Sequence, residues 1–506
     1  MRLAGWLRRS SADRSPEGRM NLPPAHAGGP LVLTHGYFLT DDPVEQRIMR
    51  PYPPLGLLSI SAWLDRRGLN HDVIDTTFRS VDDVVAELAR LRPRMIAFYV
   101  TLMTRRTILG LVRRLRADPK HAGLTVVLGG PDARYNAGDY LDHGIDILVV
   151  GEGEETMAAL AELDPAACRD PTVLAGIAGL VHRGGDGRPA TTPARAHLPR
   201  LDDLPRPARH RIDLAPYFNA WRQAHGETSL NVSTQRGCPY TCNWCSRAVY
   251  GKSYRRRSAG LVVAELAELS ARYAPDIYWF VDDVFTVNHR WLTDFATALD
   301  AAGLSIRYEC ITRADRMTDE VVALLTRTGC KRVWIGAESG SQRILDAMDR
   351  RVTVEQVTAM IRAAAAAGIE TGTFLMLGYP GETEADILAT RRYLQAARPD
   401  RFTVTLAYPI RGTEFHDAVA NHVTGPAFDD GSDRDNRFPR SYGDRYYAQA
   451  LRYLNHAAAV DRAGAIWHPR AVRHHLAVGL ARAGMWWHRR FSPPDPGSPE
   501  GTAEHG

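Results

Sequence analysis

Three of the six cysteines, Cys238, Cys242 and Cys245, are clustered in one short segment directly after a predicted strand. Thiolates at this spacing on one loop can converge on a single metal centre. A structural zinc site needs a fourth ligand, usually a second paired Cys or His, and the other cysteines stand singly. Three ligands without a fourth favour a 4Fe–4S cluster with one iron left open. Zinc and three incidental thiols are the alternatives.

The cysteine segment reads Cys-x3-Cys-x2-Cys, with the aromatic residue Trp244 before the last cysteine. It resembles the signature of the radical S-adenosylmethionine (SAM) superfamily. Four further motifs follow in the order typical of the cobalamin-linked branch of that superfamily. They are FVDDVF at 280–285, GAESG at 336–340, LGYPGET at 377–383 and YPIRGT at 408–413. The resemblance covers about residues 229–415 and rests on all five motifs together.

The resemblance implies a reaction in which SAM chelates the open iron through its amino and carboxylate groups. One electron from the cluster cleaves SAM to methionine and a 5′-deoxyadenosyl radical, which abstracts hydrogen from the substrate. By the same resemblance Glu338 and Ser339 lie near SAM. Arg313 follows the third predicted strand of the barrel, and we expect it to pair with the SAM carboxylate. The alternatives are a salt-bridged turn residue for Glu338 and a surface arginine for Arg313. A flavodoxin or ferredoxin is the expected electron donor.

From residue 30 to about 163, short apolar runs alternate with amphipathic segments of helical spacing. The runs are too short for helices and rich in Val, Ile and Leu, which predicts strands. The predicted strands are Leu31–Thr34, Asp72–Asp75, Met95–Val100, Thr125–Leu128 and Asp146–Val150. Five strand–helix alternations predict a parallel, doubly wound α/β sheet of the Rossmann-like kind. Ligands of such sheets bind outside the carboxyl ends of the strands.

The strand ends of this sheet carry the motifs YVTLMT at 99–104, GGPDA at 129–133 and GEGEET at 151–156. Together with PPLGL at 53–57 they resemble a cobalamin-binding domain. The flat dimethylbenzimidazole tail of cobalamin must slide between strand ends, where glycines let the backbone approach closely. A generic nucleotide-binding sheet is the alternative. The resemblance implies that five residues contact cobalamin: Thr101, Leu102, Gly129, Gly130 and Gly151.

One departure concerns the axial ligand of cobalt. Some cobalamin domains supply a histidine from Asp-x-His-x-x-Gly after the first strand, but here the segment reads LTHGYF at 33–38. His35 has no Asp two residues before it and no Gly three residues after it. We therefore interpret His35 as a loop residue and expect no histidine ligand from this motif.

A second alternating series, from 229 to about 410, predicts six βα units. The predicted strands are Leu230–Thr234, Ile277–Val281, Ser305–Glu309, Arg332–Ile335, Thr373–Leu377 and Phe402–Ala407. Six such units predict a partial (βα)6 barrel of the TIM type, with the chemistry at the carboxyl ends of the strands. A second open sheet is the alternative.

These patterns divide the chain into a cobalamin-binding domain (30–163), a proline-rich linker (164–228), a radical SAM core (229–420) and a helical C-terminal extension (421–490). Residues 1–29 and 491–506 are polar and contain Pro and Gly, which predicts disorder. The extension ends in Trp486 and Trp487 followed by His-Arg-Arg. We expect its helix to pack over the barrel mouth, with peripheral membrane contact as the less favoured alternative.

The composition excludes several classes of protein. With 44% hydrophobic and 24% charged residues the chain is globular rather than disordered. It contains no apolar run long enough for a membrane helix and begins without an apolar signal region, so we expect a cytoplasmic enzyme. The net charge of +5 and the short arginine run at 255–257 do not indicate a nucleic-acid partner.

The two resemblances together predict a cobalamin-dependent radical SAM enzyme that methylates an unactivated carbon of a small molecule, such as a secondary metabolite or a lipid. An oxidative cyclase or rearrangement enzyme on the same scaffold is the main alternative. Methylthio transfer is disfavoured, because that group needs cysteines in the N-terminal domain and residues 1–163 contain none. A metal-containing nucleic-acid-binding module is the alternative from another class.

Overall fold

The computed structural model describes residues 29–463 and 469–491, so the predicted disordered ends lie outside it except for residues 29 and 491. The described strands are β1 Leu31–His35, β2 His71–Ile74, β3 Met95–Tyr99, β4 Thr125–Gly129, β5 Ile147–Val149, β6 Leu180–Arg183, β7 Pro189–Thr191, β8 Ser229–Val232, β9 Gln235–Arg236, β10 Arg255–Arg256, β11 Ile277–Phe280, β12 Tyr308–Thr312, β13 Cys330–Glu338, β14 Glu370–Leu377 and β15 Arg401–Leu406. The described α-helices are α1 Pro43–Ile48, α2 Leu55–Arg66, α3 Val81–Leu91, α4 Arg105–Ala117, α5 Ala137–Asp142, α6 Glu154–Ala161, α7 Pro171–Leu174, α8 Ala215–His225, α9 Ala259–Tyr273, α10 His289–Ala301, α11 Asp319–Arg327, α12 Gln342–Ala347, α13 Val354–Ala366, α14 Glu384–Ala397, α15 Glu414–Val419, α16 Asp444–Ala463 and α17 Pro469–Phe491.

The N-terminal sheet has seven strands in the order β2-β1-β3-β4-β5-β6-β7, and β1 to β5 are parallel. Helices α2 and α6 cover one face, while α3, α4 and α5 cover the other. Strands buried on both faces are continuous apolar runs, which is why the sequence pattern predicts them. The predicted doubly wound α/β sheet is confirmed, and the carboxyl ends of its parallel strands meet at one edge.

The segment 164–228, predicted as a linker, begins with structure that belongs to the N-terminal sheet. Strands β6 and β7 form an antiparallel hairpin that pairs with β5, so the sheet continues to Thr191. Helix α8, near the end of the segment, holds the two domains together. The Tyr217 hydroxyl donates to Asp75 Oδ2 at 2.8 Å, and Trp221 Nε1 donates to the Pro51 carbonyl at 2.9 Å. Tyr217 also packs into the core of the second domain.

The second domain is a six-stranded parallel sheet in the order β15-β14-β13-β12-β11-β8, with α9, α10, α11, α13 and α14 packed around it. This is the predicted partial (βα)6 barrel, whose open edges are β8 and β15. The predicted strand Ser305–Glu309 is wrong by three residues, because β12 runs from Tyr308 to Thr312. The strand can bury a carboxylate because Arg332 pairs with Glu309 inside the domain.

The C-terminal extension covers the outside of the barrel rather than its mouth, where we expected it. Helix α16 packs beside α14 and against the outward side chains of β15, among them Phe402 and Leu406. Helix α17 packs on α16 through the buried residues Ala481 and Met485. Within the described ranges, no helix is both long and apolar enough to cross a membrane.

Candidate active site

The clustered cysteines lie on the loop that follows β8 and the short strand β9. Strand β9 pairs with β10, and Gly237, just before the first cysteine, has a φ of +82°. A Cβ here would lie 2.3 Å from the Ser253 carbonyl oxygen, so the turn requires glycine. The loop then carries Cys238, Cys242 and Cys245 past the carboxyl ends of the barrel strands, where the chemistry of such barrels lies.

The three thiols lie close enough to influence one another. Burial raises the pKa of Cys238, and Asp283 and Cys242 add to that rise. Desolvation by the surrounding protein also raises the pKa of Cys245 to about 12, with further contributions from Asp283 and the other two thiols. Such thiols ionise when a metal ion supplies positive charge. Three thiols, each a ligand for a different iron, match the donor set of a 4Fe–4S cluster with one open iron. In the described part of the chain, no three His, Cys, Asp or Glu side chains converge as a site for one metal ion.

Asn243, within the cysteine segment, anchors the cysteine loop to three other segments of the barrel domain. Its Nδ2 donates to the Ala347 carbonyl at 2.8 Å, and its Oδ1 accepts from the Tyr379 hydroxyl at 2.9 Å. Its backbone N–H donates to the Met348 carbonyl at 3.3 Å, and its carbonyl accepts from the Phe415 amide at 3.0 Å. The segments that follow β13, β14 and β15 therefore fix the cysteine loop. Sequence reasoning missed this role, although the position of Asn243 between two cysteines was a signal.

Two buried arginines lie beside the Cys242 thiol. Arg313 Nη1 donates to Cys242 Sγ at 3.4 Å, and Arg350 Nη1 donates to the same atom at 3.7 Å. Arg313 also donates to Asp315 and stacks on the Tyr240 ring at 3.9 Å. The two guanidinium groups therefore place positive charge beside a sulfur atom that would be a ligand of the cluster. Arg313 is thus a buried residue at the cysteine loop, and its pairing with the SAM carboxylate stays a prediction. Arg350 was not identified from the sequence.

Glu338 is the last residue of β13 and has a φ of +66°. This conformation is uncommon for a residue with a side chain, and strained backbone of this kind clusters at functional sites. Glu338 and Trp244 line a cavity of about 200 Å³ inside the barrel. Burial raises the pKa of Glu338, and Arg350, at 3.9 Å, partly opposes the rise. The other predicted SAM residue, Ser339, is buried against α14, with its hydroxyl 3.4 Å from Thr390 Oγ1.

The two aspartates of the FVDDVF segment have different surroundings. Asp282 is buried and accepts from the amides of Thr234 and Gln235 at 2.8 and 3.1 Å, so it holds the turn between β8 and β9. Asp283 instead lines a cavity together with Cys238. Desolvation by the surrounding protein, and then the neighbouring Asp282, raise the pKa of Asp283. The second aspartate is therefore a carboxyl group that a bound molecule can reach.

That cavity, of about 290 Å³, lies between the two domains, and we call it the interdomain cavity. Gly129, Gly130 and Gly151 line it from the strand ends of the N-terminal sheet, and Cys238 and Cys245 line it from the barrel. The carboxyl ends of the two sets of strands therefore face one space. Groups held on the two walls can act on the same molecule.

The interdomain cavity extends into the N-terminal domain as an apolar slot. Leu33, Ala97 and Val127 line the slot from the sheet, and Ile60 and Met157 line it from α2 and α6. A slot between a sheet and its covering helices, entered past glycines, fits the flat tail of cobalamin.

The five residues predicted to contact cobalamin fall into two groups. Gly129, Gly130 and Gly151 line the interdomain cavity. Thr101 and Leu102 line a neighbouring cavity of about 340 Å³. Their contacts with cobalamin stay predictions, and the geometry favours the three glycines.

His35 is the last residue of β1 and is buried, so the predicted loop placement is wrong. Its Nε2 lies 3.0 Å from Asp75 Oδ1, and its Nδ1 lies 3.1 Å from the Thr76 hydroxyl. Both ring nitrogens therefore have partners inside the domain. Among the described residues that line the interdomain cavity there is no histidine. The absence of a histidine ligand to cobalt stays a prediction.

Ion pairs join the two domains beside the interdomain cavity. Glu152 and Glu154 of the GEGEET segment both pair with Arg236, two residues before the first cysteine, and Arg236 Nη1 donates to Glu152 Oε1 at 2.9 Å. Arg255 donates to Glu152 Oε2 at 2.8 Å. Burial opposes ionisation of Glu152, but Arg255 and Arg236 outweigh it and lower its pKa. Sequence reasoning missed these contacts, since each partner belongs to a different domain.

Two protein-family models match the chain. The radical SAM superfamily matches residues 232–394, and the B12 binding domain matches residues 47–161. The first range lies in the barrel and the second in the N-terminal sheet. The chain therefore contains a radical SAM domain and a B12-binding domain, as its motifs predict.

Curated relatives and solved structures extend over most of the chain. An uncharacterized methyltransferase of Pyrococcus horikoshii is 26% identical over 398 residues, which cover 76% of this chain and 82% of the relative. The anaerobic magnesium-protoporphyrin IX monomethyl ester cyclase of Synechocystis is 25% identical, over 72% of each protein. The methyltransferase TsrM from Kitasatospora setae superposes with a TM-score of 0.62 at 21% identity, over 78% of each chain. The cobalamin-dependent enzyme OxsB superposes with a TM-score of 0.68 at 14% identity, over 91% of this chain and 76% of OxsB. At these identities the structural likeness shows the fold.

Proposed function

We propose that this protein is a cobalamin-dependent radical SAM enzyme that methylates an unactivated carbon of a small-molecule substrate. The observation that carries the proposal is the interdomain cavity, which strand-end glycines of one domain and Cys238 and Cys245 of the other line together. When bound, the cluster supplies the electron that cleaves SAM to a radical, and cobalamin supplies the methyl group. A shared cavity suits this pair of chemistries, because both must reach one substrate carbon.

The proposal gives each side chain a part. The three cysteines hold the cluster, and Arg313 and Arg350 place positive charge beside the ligand Cys242. Glu338, in the barrel cavity next to the cysteine loop, accepts hydrogen bonds from SAM. Asp283 accepts a hydrogen bond from the substrate in the interdomain cavity. An electron donor of the flavodoxin or ferredoxin class reduces the cluster.

A small-molecule substrate is supported by the TsrM structure that contains its tryptophan substrate. Methyl transfer is supported by the Pyrococcus relative, which is named as a methyltransferase. The second candidate is an oxidative cyclase or rearrangement enzyme, because the Synechocystis cyclase matches a similar share of this chain.

Product analysis under anaerobic turnover separates the two candidates. A methyltransferase of this kind uses two SAM molecules in each cycle, so S-adenosylhomocysteine and 5′-deoxyadenosine should form in about equal amounts. A cyclase should form 5′-deoxyadenosine with no continuing S-adenosylhomocysteine. Sustained 5′-deoxyadenosine without S-adenosylhomocysteine would reject methyl transfer and leave the fold and the site residues in place.

Iron analysis tests the cluster ligands. Cys242→Ala should lose most of its iron after anaerobic reconstitution and should no longer cleave SAM, since no neighbouring group replaces the thiolate. Cys330→Ala is the control, because Cys330 is buried in the barrel core away from the cysteine loop. Full iron content and SAM cleavage in Cys242→Ala would contradict the proposed cluster.

A further inference from the structure

The outward face of α17 is apolar. The helix packs on α16 through Ala481 and Met485, and its opposite face carries large apolar side chains that are between 42% and 74% exposed. Their spacing places them along one side of the helix. We call this set the α17 stripe: Val472, Leu476, Leu480, Trp486, Trp487 and Phe491. Exposed apolar surface of this extent marks an interaction site.

Positive charge borders the α17 stripe. The 23 residues of α17 include five arginines and three histidines but no acidic residue. Arg482 and Arg489 pair with Glu384 at the start of α14, so they tie the helix to the barrel. Arg473 and Arg490 are exposed on the same face of α17 as the stripe. The partner of this surface must therefore accept both apolar side chains and positive charge.

We propose that the α17 stripe binds the surface of an anionic lipid bilayer. A helix fixed to a protein body by one face, with aromatic rings and arginines on the other, suits the headgroup region of a membrane. The rings of Trp487 and Phe491 lie 4.5 Å apart at one end of the stripe. The stripe is convex, so a deformable lipid surface can surround it without a matching groove. Anionic headgroups attract the bordering arginines.

Other occupants match the stripe less well. A second copy of the chain would bring two arginine-rich helices together, with no acidic residue on α17 to compensate them. Residues 1–28 contain five arginines against one aspartate and one glutamate, so they too carry the wrong charge. Residues 492–506 contain no Val, Leu, Ile, Met, Phe, Tyr or Trp with which to cover the stripe.

Vesicle flotation of the full-length protein tests the proposal. The protein should float with vesicles of phosphatidylcholine and phosphatidylglycerol but not with vesicles of phosphatidylcholine alone. The double variant Leu476→Gln/Leu480→Gln should reduce the bound fraction about tenfold or more, because it removes two apolar side chains from the contact. Leu261→Gln, at an exposed leucine on α9, is the matched control and should float like the wild type. All variants should keep the wild-type melting temperature.

Salt and self-association complete the test. Raising the ionic strength from about 0.1 M to about 1 M shortens the screening length from about 10 Å to about 3 Å and should release the protein. Failure to float, or equal flotation with neutral vesicles, overturns the proposal. So does a dimer in sedimentation velocity that the leucine double variant dissociates, or vesicle binding that appears only after residues 1–28 are deleted.

Discussion

Replacing Glu382 by glutamine should stabilise the protein, and by more as the pH rises. Glu382 lies in the LGYPGET segment after β14 and is fully buried. One carboxyl oxygen accepts from the Gly378 amide at 2.6 Å, and the other has no hydrogen-bond partner among the described residues. Burial raises the pKa of Glu382 from 4.5 to about 8. The carboxyl group is therefore protonated in the folded protein at neutral pH and ionised in the unfolded chain.

A raised carboxyl pKa weakens folding as the pH rises, because the unfolded chain releases its proton first. The loss of folding stability begins near pH 4.5, grows until about pH 8 and is constant above that pH. At about 1.4 kcal/mol per pKa unit, the free energy of unfolding falls by about 1 kcal/mol at pH 5 and about 3 kcal/mol at pH 7. Glutamine has no proton to release, and its side-chain oxygen can still accept from the Gly378 amide.

Denaturant unfolding at pH 5 and pH 7 measures the effect. The stability of Glu382→Gln relative to the wild type should rise by about 2 kcal/mol between these two pH values. Glu355→Gln, at an exposed position on α13, is the matched control for the same change of side chain. The same advantage for Glu382→Gln at both pH values would show that Glu382 is ionised in the folded protein and would refute the reasoning.

Three further predictions concern the two domains and their contact. Gly130→Ala should abolish cobalamin retention on gel filtration, because the φ of Gly130 is +121° and an added Cβ would lie 2.3 Å from a backbone oxygen. Gly138→Ala is the control and should retain cobalamin, because there is open space where its Cβ would lie. Arg236→Met should destabilise the protein by about 3–5 kcal/mol in thermal melts, since it removes the partner of the buried Glu154 and one of the two partners of the buried Glu152. Arg183→Met, at an exposed ion pair, should change the stability by less than about 1 kcal/mol, and equal effects of the two changes would contradict the buried contact. Arg350→Met should lower the reduction potential of the reconstituted cluster by about 59 mV or more, which is about 1.4 kcal/mol for one electron. An unchanged potential would exclude an electrostatic role of Arg350 at the cluster.

The sequence predicts the two sheets well because most strands are apolar runs buried on both faces. Such runs need no knowledge of their neighbours to be recognised. Strand β12 shows the limit, because Glu309 interrupts its apolar pattern. Only the pairing of Glu309 with Arg332, from the next strand, makes that position compatible with the core. The pairing of the β6–β7 hairpin with β5 was also hard to predict, because a proline-rich segment gives little sign that it extends a sheet.

The candidate site was predictable where its residues are close in sequence. The cysteine segment, the strand-end glycines and Glu338 all stand in short motifs at strand ends. Arg350 could not be found in this way, because only the fold brings it to Cys242, more than 100 residues earlier in the chain. The same holds for Asn243, whose partners come from three different segments of the barrel domain. Local sequence patterns identify the candidate ligand and cofactor-binding residues, whereas the residues that position them come from distant segments of the chain.

The GEGEET segment shows how the two domains are held in a fixed relative position. Gly151 lines the interdomain cavity, while Glu152 and Glu154 hold Arg236, two residues before Cys238. One short segment therefore connects the cobalamin side of the cavity to the start of the cysteine loop. Under the proposed function, the methyl donor and the radical must meet one substrate carbon, and an error of about 1 Å in such geometry can reduce a rate about 100-fold. Because the ion pairs are buried, they resist the sliding of one domain over the other. Loss of Arg236 should therefore reduce methyl transfer more than SAM cleavage, since each domain keeps its own site while their alignment is lost.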